Sequence, residues 1–266
     1  MIFFFSGTGN TRWAAQQMAA TAGEYLLFIP DELKGDCHYH LSAGERLGFC
    51  FPVHGWQPPH IVRQFIRKST FEWRGKAGET VQQPYVFALV TCGDSIGLTM
   101  EMLARELQPK GIRPDALFSL VMPESYVCLP FMYTDSPERE QAKISRSTEE
   151  LRHYAQMVAQ RRCGEGHTKR GLTPWVFSHV IGAYFNGHMI SDGKFTVDAD
   201  RCIGCGKCQE VCPTGDLLLT ADRRPSWQHD GSCTCCLACY HHCPHHAINY
   251  GSITRKRGQY YFGHKQ

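Results

Sequence analysis

Short apolar runs alternate with helical patterns through the first 163 residues of the chain. The apolar runs predict five strands, at residues 2–5, 25–29, 47–51, 85–91 and 116–121. The segments between them predict helices at residues 11–22, 59–69, 98–107 and 137–162. Strands interleaved with helices are typical of an α/β fold with a doubly wound parallel sheet. The fully apolar run at residues 86–90 fits a central strand, because both faces of such a strand are covered.

The alternation ends after Cys163. Several glycines loosen the next stretch, and Pro174 predicts the start of a short helix. The aromatic side chains of this stretch favour packing over a solvated tether. We therefore expect an α/β domain at residues 1–163, a packed connector at 164–191 and a second domain with a basic tail at 192–266.

The composition supports a folded chain of about two domains. Of the 266 residues, 42% are hydrophobic and 20% are charged, so the chain can bury a core. No apolar run approaches the roughly 18–20 residues of a membrane span, and the apolar start is too short for a signal peptide. The formal net charge of +3 is too small to indicate nucleic-acid binding. We expect a cytoplasmic protein without a membrane span or a nucleic-acid partner.

The cysteines are unevenly distributed. Of the 14 in the chain, nine lie between Cys202 and Cys243. A disulfide-rich secreted protein usually carries an export signal and spreads its bridges over a small domain. Dense thiols without such a signal indicate metal ligation instead.

A twelve-residue motif occurs twice, with an offset of 31 residues, at 202–213 and 233–244. Each copy reads C-x2-C-x2-C-x3-C-P, the bacterial ferredoxin spacing for [4Fe–4S] clusters, in which the fourth cysteine ligates the other cluster. A pair of zinc sites would explain the C-x2-C pairs but not the third cysteine or the C-P ending. Cys235 is off the ligand spacing and is expected to be a non-ligand thiol. The predicted first cysteine set is Cys202, Cys205, Cys208 and Cys243, and the second cysteine set is Cys233, Cys236, Cys239 and Cys212.

A glycine loop (residues 6–11) follows the first strand and opens the first helix. Such a loop directs backbone N–H groups and a helix N-terminus at an anion. It is not a nucleotide P-loop, because no G-K-[ST] follows, and Arg12 replaces the third glycine of a dinucleotide fingerprint. An ordinary βα turn also explains the glycines, whereas the hydroxyl side chains favour a phosphate.

These motifs together resemble the fused flavodoxin–ferredoxin family of anaerobic microbes, over nearly the whole chain. The resemblance implies a flavodoxin-like five-stranded doubly wound sheet joined to an α+β ferredoxin-like domain with two [4Fe–4S] clusters. It also implies FMN, held by loops that follow the first, third and fourth predicted strands. The FMN-binding residues implied are Ser6, Gly7, Thr8, Gly9, Asn10, Thr11, Pro52, Val53, His54, Gly55, Trp56, Thr91, Cys92, Gly93 and Asp94.

One position departs from that resemblance. Many flavodoxins stack a second aromatic ring on the outer flavin face, and this chain has Gly97 there. We expect Trp56 to pack against the flavin and the outer face to be open or covered by Tyr126.

The function expected is electron transfer between FMN, two [4Fe–4S] clusters and redox partner proteins. The alternative is a flavin-dependent oxidoreductase that acts on its own small-molecule substrate, with the clusters as an internal wire. No catalytic constellation compels that alternative, since Asp94 and His54 are the only nearby acid–base candidates. A non-catalytic binding module with structural clusters is a third possibility, which the flavin-type loops disfavour.

Overall fold

The computed structural model describes residues 1–42, 44–74 and 83–264. Six strands form one parallel sheet in the order β2-β1-β4-β6-β7-β8, and β3 pairs with β5 in a separate parallel ribbon. The strands of this half are β1 (Ile2–Phe4), β2 (Leu26–Phe28), β3 (His38–Ser42), β4 (Arg46–Pro52), β5 (Thr70–Arg74), β6 (Tyr85–Cys92), β7 (Ala116–Val121) and β8 (Glu165–His167).

The sheet is buried between helices on both faces. Every residue of β6 is buried, as expected for a central strand of a parallel sheet. One face packs on α3 and α4 through Phe65 and Leu103, and the other packs on α1 and α5 through Met18 and Tyr154. The helices are α1 (Asn10–Ala22), α2 (Ile29–Glu32), α3 (His60–Lys68), α4 (Thr99–Leu107) and α5 (Pro137–Ala159).

The predicted sheet of five strands is wrong by one strand. Strand β8 pairs in parallel with β7 and lies within the segment predicted to be the connector. It is three residues long, contains Gly166 and lies at the sheet edge, so it has no apolar pattern to reveal it. The β3–β5 ribbon was also absent from the prediction.

A broken helix follows the sheet and packs against its upper loops. It consists of α6 (Pro174–Val176), a π-helical turn (Phe177–Ile181) and α7 (Gly182–His188). Ser178 is fully buried in the π turn, and its hydroxyl bonds to the Trp56 carbonyl and the Leu98 amide. Gln57 donates to the Ser178 carbonyl at 2.7 Å. These bonds fix the helix to the loop that follows β4.

The last part of the chain is built from two short antiparallel pairs and two short helices. Strand β9 pairs with β12, and β10 pairs with β11. Both helices begin after a residue with positive φ, Gly206 for α8 and Leu237 for α9. The two motif copies therefore form the same local turn. The elements are β9 (Phe195–Val197), α8 (Lys207–Glu210), β10 (Leu217–Leu219), β11 (Pro225–Trp227), α9 (Ala238–His241) and β12 (Ile248–Tyr250).

The segment after β12 crosses back to the glycine loop. Phe262 donates its amide to the Thr8 carbonyl at 2.8 Å and stacks on Trp13. The Tyr260 hydroxyl donates to Asn10 Oδ1 at 2.6 Å. Of the predicted domains, residue 43 and residues 75–82 in the first and 265–266 in the second lie outside the described residues.

Candidate functional site

The first cysteine set surrounds a small cavity. All four of its residues line this cavity, together with Gly204, Gly206 and the β10–β11 pair. Cys205 is exposed, whereas Cys208 and Cys243 are buried. The Ala247 amide donates to Cys243 Sγ at 3.3 Å, which is the kind of contact that stabilises a ligating sulfur. The crossing that brings Cys243 to the first motif is thus present in the fold.

The second cysteine set also converges. The pKa of the Cys239 thiol is raised well above its usual value, first by burial and then by Cys236, Cys233 and Cys212. The Cys235 amide donates to Cys233 Sγ at 3.4 Å. Cys208 of the first set is also near enough to interact with Cys239, so the two sets are neighbours.

The sulfur spacing suits a cluster better than a single ion. Within the described ranges, no three of these sulfurs lie within 4.8 Å of one another. Ligands of one tetrahedral zinc, at roughly 2.3 Å from the metal, would lie closer together than that. Burial also raises the pKa of Cys208 and of Cys236 to about 11, so their thiolates need positive iron nearby.

A larger cavity lies at the carboxyl ends of β1, β4, β6 and β7. This is where ligands bind in open α/β sheets, since the loops after the strands diverge there. Of the 15 residues predicted for cofactor binding, all but Gly9 line it. Gly9 has φ +95 and packs against Phe262 instead, which places it behind the loop. The predicted residues on the wall are Ser6, Gly7, Thr8, Asn10, Thr11, Pro52, Val53, His54, Gly55, Trp56, Thr91, Cys92, Gly93 and Asp94.

The glycine loop offers fewer free side-chain donors than its sequence suggests. Asn10 donates to the Pro123 carbonyl and accepts from Tyr260, so its amide has a structural role. The Thr11 and Thr91 hydroxyls bond to each other at 2.7 Å. The Ser6 hydroxyl accepts from the Gly9 amide. This leaves the Thr8 hydroxyl and the first-turn amides of α1 to face an anion.

Three groups of cavity residues were not among the predicted site residues. Glu124 follows β7, Phe185 belongs to α7, and residues 234–236 belong to the second cysteine motif. The position of residue 124 after a parallel strand could have indicated it. The other two depend on the packing of the later segments against the sheet, which no local pattern reveals.

The ionisable groups of the cavity are mostly shielded from water. Burial lowers the pKa of His54 to about 3, so this imidazole is neutral. Burial raises the pKa of Glu124, although the Ser125 and Tyr126 amides both donate to its Oε1. Asp94 is 82% exposed at the side chain and pairs with Lys169 at 2.8 Å. Asp94 therefore belongs to the rim rather than to the interior.

The structure changes the expectation for Gly97 and Trp56. Gly97 does not line the cavity, because Trp56 and Ser178 cover it, and its φ is +57. Trp56 lines the cavity, donates to Ser95 Oγ and contacts the Phe177 ring at 4.6 Å. The side of the cavity near α7 has Phe185 and Tyr126, whose rings meet edge to face at 5.2 Å.

The second cysteine motif forms part of the wall of the larger cavity. A Cβ on Gly7 would lie 2.6 Å from Cys236 Cβ, so the glycine loop and the motif pass in direct contact. Cys235 is 3% exposed, lines the same wall, and its thiol bonds to that of Cys128. The larger cavity therefore adjoins a predicted cluster ligand.

Comparison with known proteins identifies the cysteine-rich part. Residues 194–255 match a family model described as a 4Fe-4S dicluster domain, and residues 154–215 match a second model of the same description. An uncharacterized ferredoxin of Methanocaldococcus jannaschii is 43% identical over 57 residues, which is 21% of this chain and 74% of that protein. The chain belongs to the 4Fe-4S dicluster ferredoxins. The match over 194–255 contains both motifs of this ferredoxin, whereas the other range contains only the first.

This ferredoxin carries two [4Fe–4S] clusters and has an iron–sulfur electron-transfer role. The prediction of two such clusters is confirmed, and the zinc alternative is set aside. Which cysteine ligates which cluster stays a prediction. No helix in the described part of this ferredoxin is long and apolar enough to cross a membrane.

Proposed function

We propose that the protein passes electrons between FMN bound in the larger cavity, its two [4Fe–4S] clusters and redox partner proteins. The observation that carries this proposal is the shared wall: Cys236, a predicted cluster ligand, lines the same cavity as the glycine loop. A redox cofactor in that cavity would lie directly beside the second cysteine set.

The sheet topology supports FMN as the occupant. Strands β2, β1, β4, β6 and β7 follow the order 2-1-3-4-5 of flavodoxin-like folds, in which FMN binds at the switch point beside β1. The glycine loop lies at that point and leads into α1, whose first-turn amides suit a phosphate.

The residues on the wall also fit a flavin. Pro52, Val53 and Met122 give apolar surface, and Trp56 gives an aromatic face. The Tyr126 hydroxyl is buried without a hydrogen bond among the described residues, which is costly unless a ligand supplies a partner. A polar ring system with an anionic tail would use both features.

The division of labour follows from the cofactors. Bound FMN can exchange one or two electrons, whereas each cluster moves one. The second cysteine set adjoins the cavity, and its Cys239 is near Cys208 of the first set. The first set reaches the surface at Cys205, beside the exposed side chain of Ile203. This surface is the proposed contact for a protein partner.

A substrate-specific oxidoreductase is the second candidate. It is favoured by the buried Glu124 and the neutral His54, which could move protons to or from a substrate inside the cavity. Replacement of Glu124 by Gln separates the two functions. An electron carrier should keep its exchange rate with an artificial protein acceptor, whereas an enzyme should lose turnover of its substrate.

Cofactor analysis tests the main proposal. Anaerobically purified protein should contain eight iron atoms, eight sulfides and one FMN per chain. Thr8→Val should weaken FMN by about 1–3 kcal/mol in a titration, the scale of a charge-assisted hydrogen bond. Thr148→Val, on α5, is the matched control and should bind FMN normally. Two intact clusters with no FMN uptake, or equal binding of FMN and riboflavin, would contradict the proposal.

A further inference from the structure

A cluster of metal-type ligands lies outside the cysteine motifs, on the β3–β5 ribbon. His38 Nε2 is 3.1 Å from one Glu72 oxygen, and His40 Nδ1 is 3.3 Å from the other. The two imidazole rings are 5.0 Å apart between centroids. The donor atoms of the three side chains all lie within 4.8 Å of one another. All three side chains are exposed and can be reached from solvent.

The strand geometry explains why these three side chains meet. His38 and His40 are two residues apart, so they share the outer face of β3. Glu72 is paired with His40 in the parallel register. On the inner face, Tyr39 stacks on Phe71, and Leu41 is 1% exposed. The packing of the inner residues therefore fixes the backbone that carries the outer ones.

The distances resemble those around a bound ion. Donor atoms at about 2.1 Å from a metal lie about 3.0–3.4 Å apart at tetrahedral or octahedral angles. Both histidine–carboxylate distances already fall in that interval. Only the distance between the two imidazole donors has to shorten, which a small rotation of exposed side chains can achieve.

We infer that His38, His40 and Glu72 form a binding site for a divalent transition metal, with zinc as the principal ion. Two imidazoles and one carboxylate are borderline ligands, which suit Zn²⁺ and disfavour Mg²⁺ or Ca²⁺. Water completes the coordination, because the site is open to solvent. The ion would join β3 to β5 through side chains in addition to the backbone ladder.

Equilibrium dialysis of the anaerobic holoprotein against micromolar Zn²⁺ tests this site. Zinc and iron are counted per chain, so that exchange of zinc into the cysteine motifs is detected as iron loss. We expect one zinc per chain with iron unchanged. His40→Gln and Glu72→Gln should each weaken zinc binding by about tenfold or more. Zinc should also raise the urea midpoint of the unsubstituted protein and not that of His40→Gln.

His167→Gln is the matched control. His167 pairs with Glu165 at 3.1 Å, the same distance as His38 with Glu72, but belongs to no group of three ligands within the described ranges. This variant should bind zinc normally. Zinc uptake that survives in His40→Gln, uptake accompanied by iron loss, or no uptake at micromolar zinc would each mean an adventitious ion only and overturn the inference.

Discussion

Gly7 lies where the glycine loop passes the second cysteine motif. It has no positive φ, so its role is to leave space, since a Cβ would lie 2.6 Å from Cys236 Cβ. We expect Gly7→Ala to separate the two segments and to lower stability by about 1–3 kcal/mol through overpacking. Denaturant unfolding, with iron counted per chain, measures this effect.

Gly166 gives the control for that substitution. It has no positive φ, and a Cβ there meets nothing within 4 Å, so Gly166→Ala should leave stability and iron content almost unchanged. Equal stability of the Gly7→Ala variant and the unsubstituted protein would show that the close approach has no energetic consequence.

His54 predicts a pH dependence. Its pKa is about 3 in the folded chain and about 6.5 when unfolded, so the unfolded chain binds more protons between these values. Stability contributed by neutral His54 is therefore complete above about pH 6.5 and is lost as the pH falls toward 3. From pH 8 to 5.5 the loss should be at most about 1.4 kcal/mol.

The comparison with His54→Gln measures that contribution. The variant cannot titrate at this position, so its unfolding free energy should fall less steeply between pH 8 and 5.5. His60 also has a lowered pKa and stays in both proteins, so only the difference between the two slopes is informative. Parallel slopes would mean that residue 54 is not protonated preferentially on unfolding.

The sequence located the site residues better than it assigned their roles. The 6–11 loop and the 52–56 and 91–94 loops reach one cavity because parallel strands present their carboxyl ends at one edge. The roles of Asn10 and Thr11 could not be predicted, since their partners are Tyr260 and Thr91, far along the chain. Gly97 resembled an unshielded flavin face in sequence, yet Ser178 and Trp56 cover it.

At the scale of elements, the segment after β12 connects both halves of the chain. The Tyr260 hydroxyl reaches Asn10, and its amide donates to His241 Nδ1 at 3.0 Å. We expect Tyr260→Phe to lower the unfolding free energy by about 1 kcal/mol, because Asn10 Oδ1 loses a buried donor. Chemical denaturation measures the change.

Tyr184→Phe is the corresponding control for this element. Tyr184 is 63% exposed on α7, so removal of its hydroxyl should have no effect. An unchanged midpoint for Tyr260→Phe would show that water replaces the lost bond at Asn10 without cost.

Elements with strong apolar periodicity were predicted within a few residues, and weak ones were missed. Strand β7 has the predicted bounds, and α3 differs by one residue at each end. Strand β8 and the ribbon were missed for different reasons. Strand β8 is too short to show a period, and β3 carries histidines on its outer face that conceal its alternation.

At the scale of the whole molecule, the crossed cysteine sets make the two motifs dependent on each other. Cys212 belongs to the first motif but lies with the second cysteine set. We expect Cys212→Ala to remove about half of the iron, with the loss at the cluster of Cys233, Cys236 and Cys239. Iron analysis and the electron paramagnetic resonance of the reduced protein measure this.

Cys235→Ala is the control within the same motif. Cys235 is buried beside Cys128 and is off the ligand spacing, so both clusters should survive its loss. Loss of iron from Cys235→Ala, with retention in Cys236→Ala, would mean that the ligand register is shifted by one residue.

The contact between Phe262 and Thr8 has a consequence for how the protein is made. The ribosome releases residues 6–11 about 250 positions before their neighbours at 258–262. A nascent chain can therefore complete its sheet while the mouth of the larger cavity still lacks one of its neighbours. The cysteine motifs also emerge before residue 258, so iron can be delivered to a chain whose glycine loop is unfinished. Loading of the two kinds of redox centre would then follow a fixed order, clusters first, set by the direction of translation.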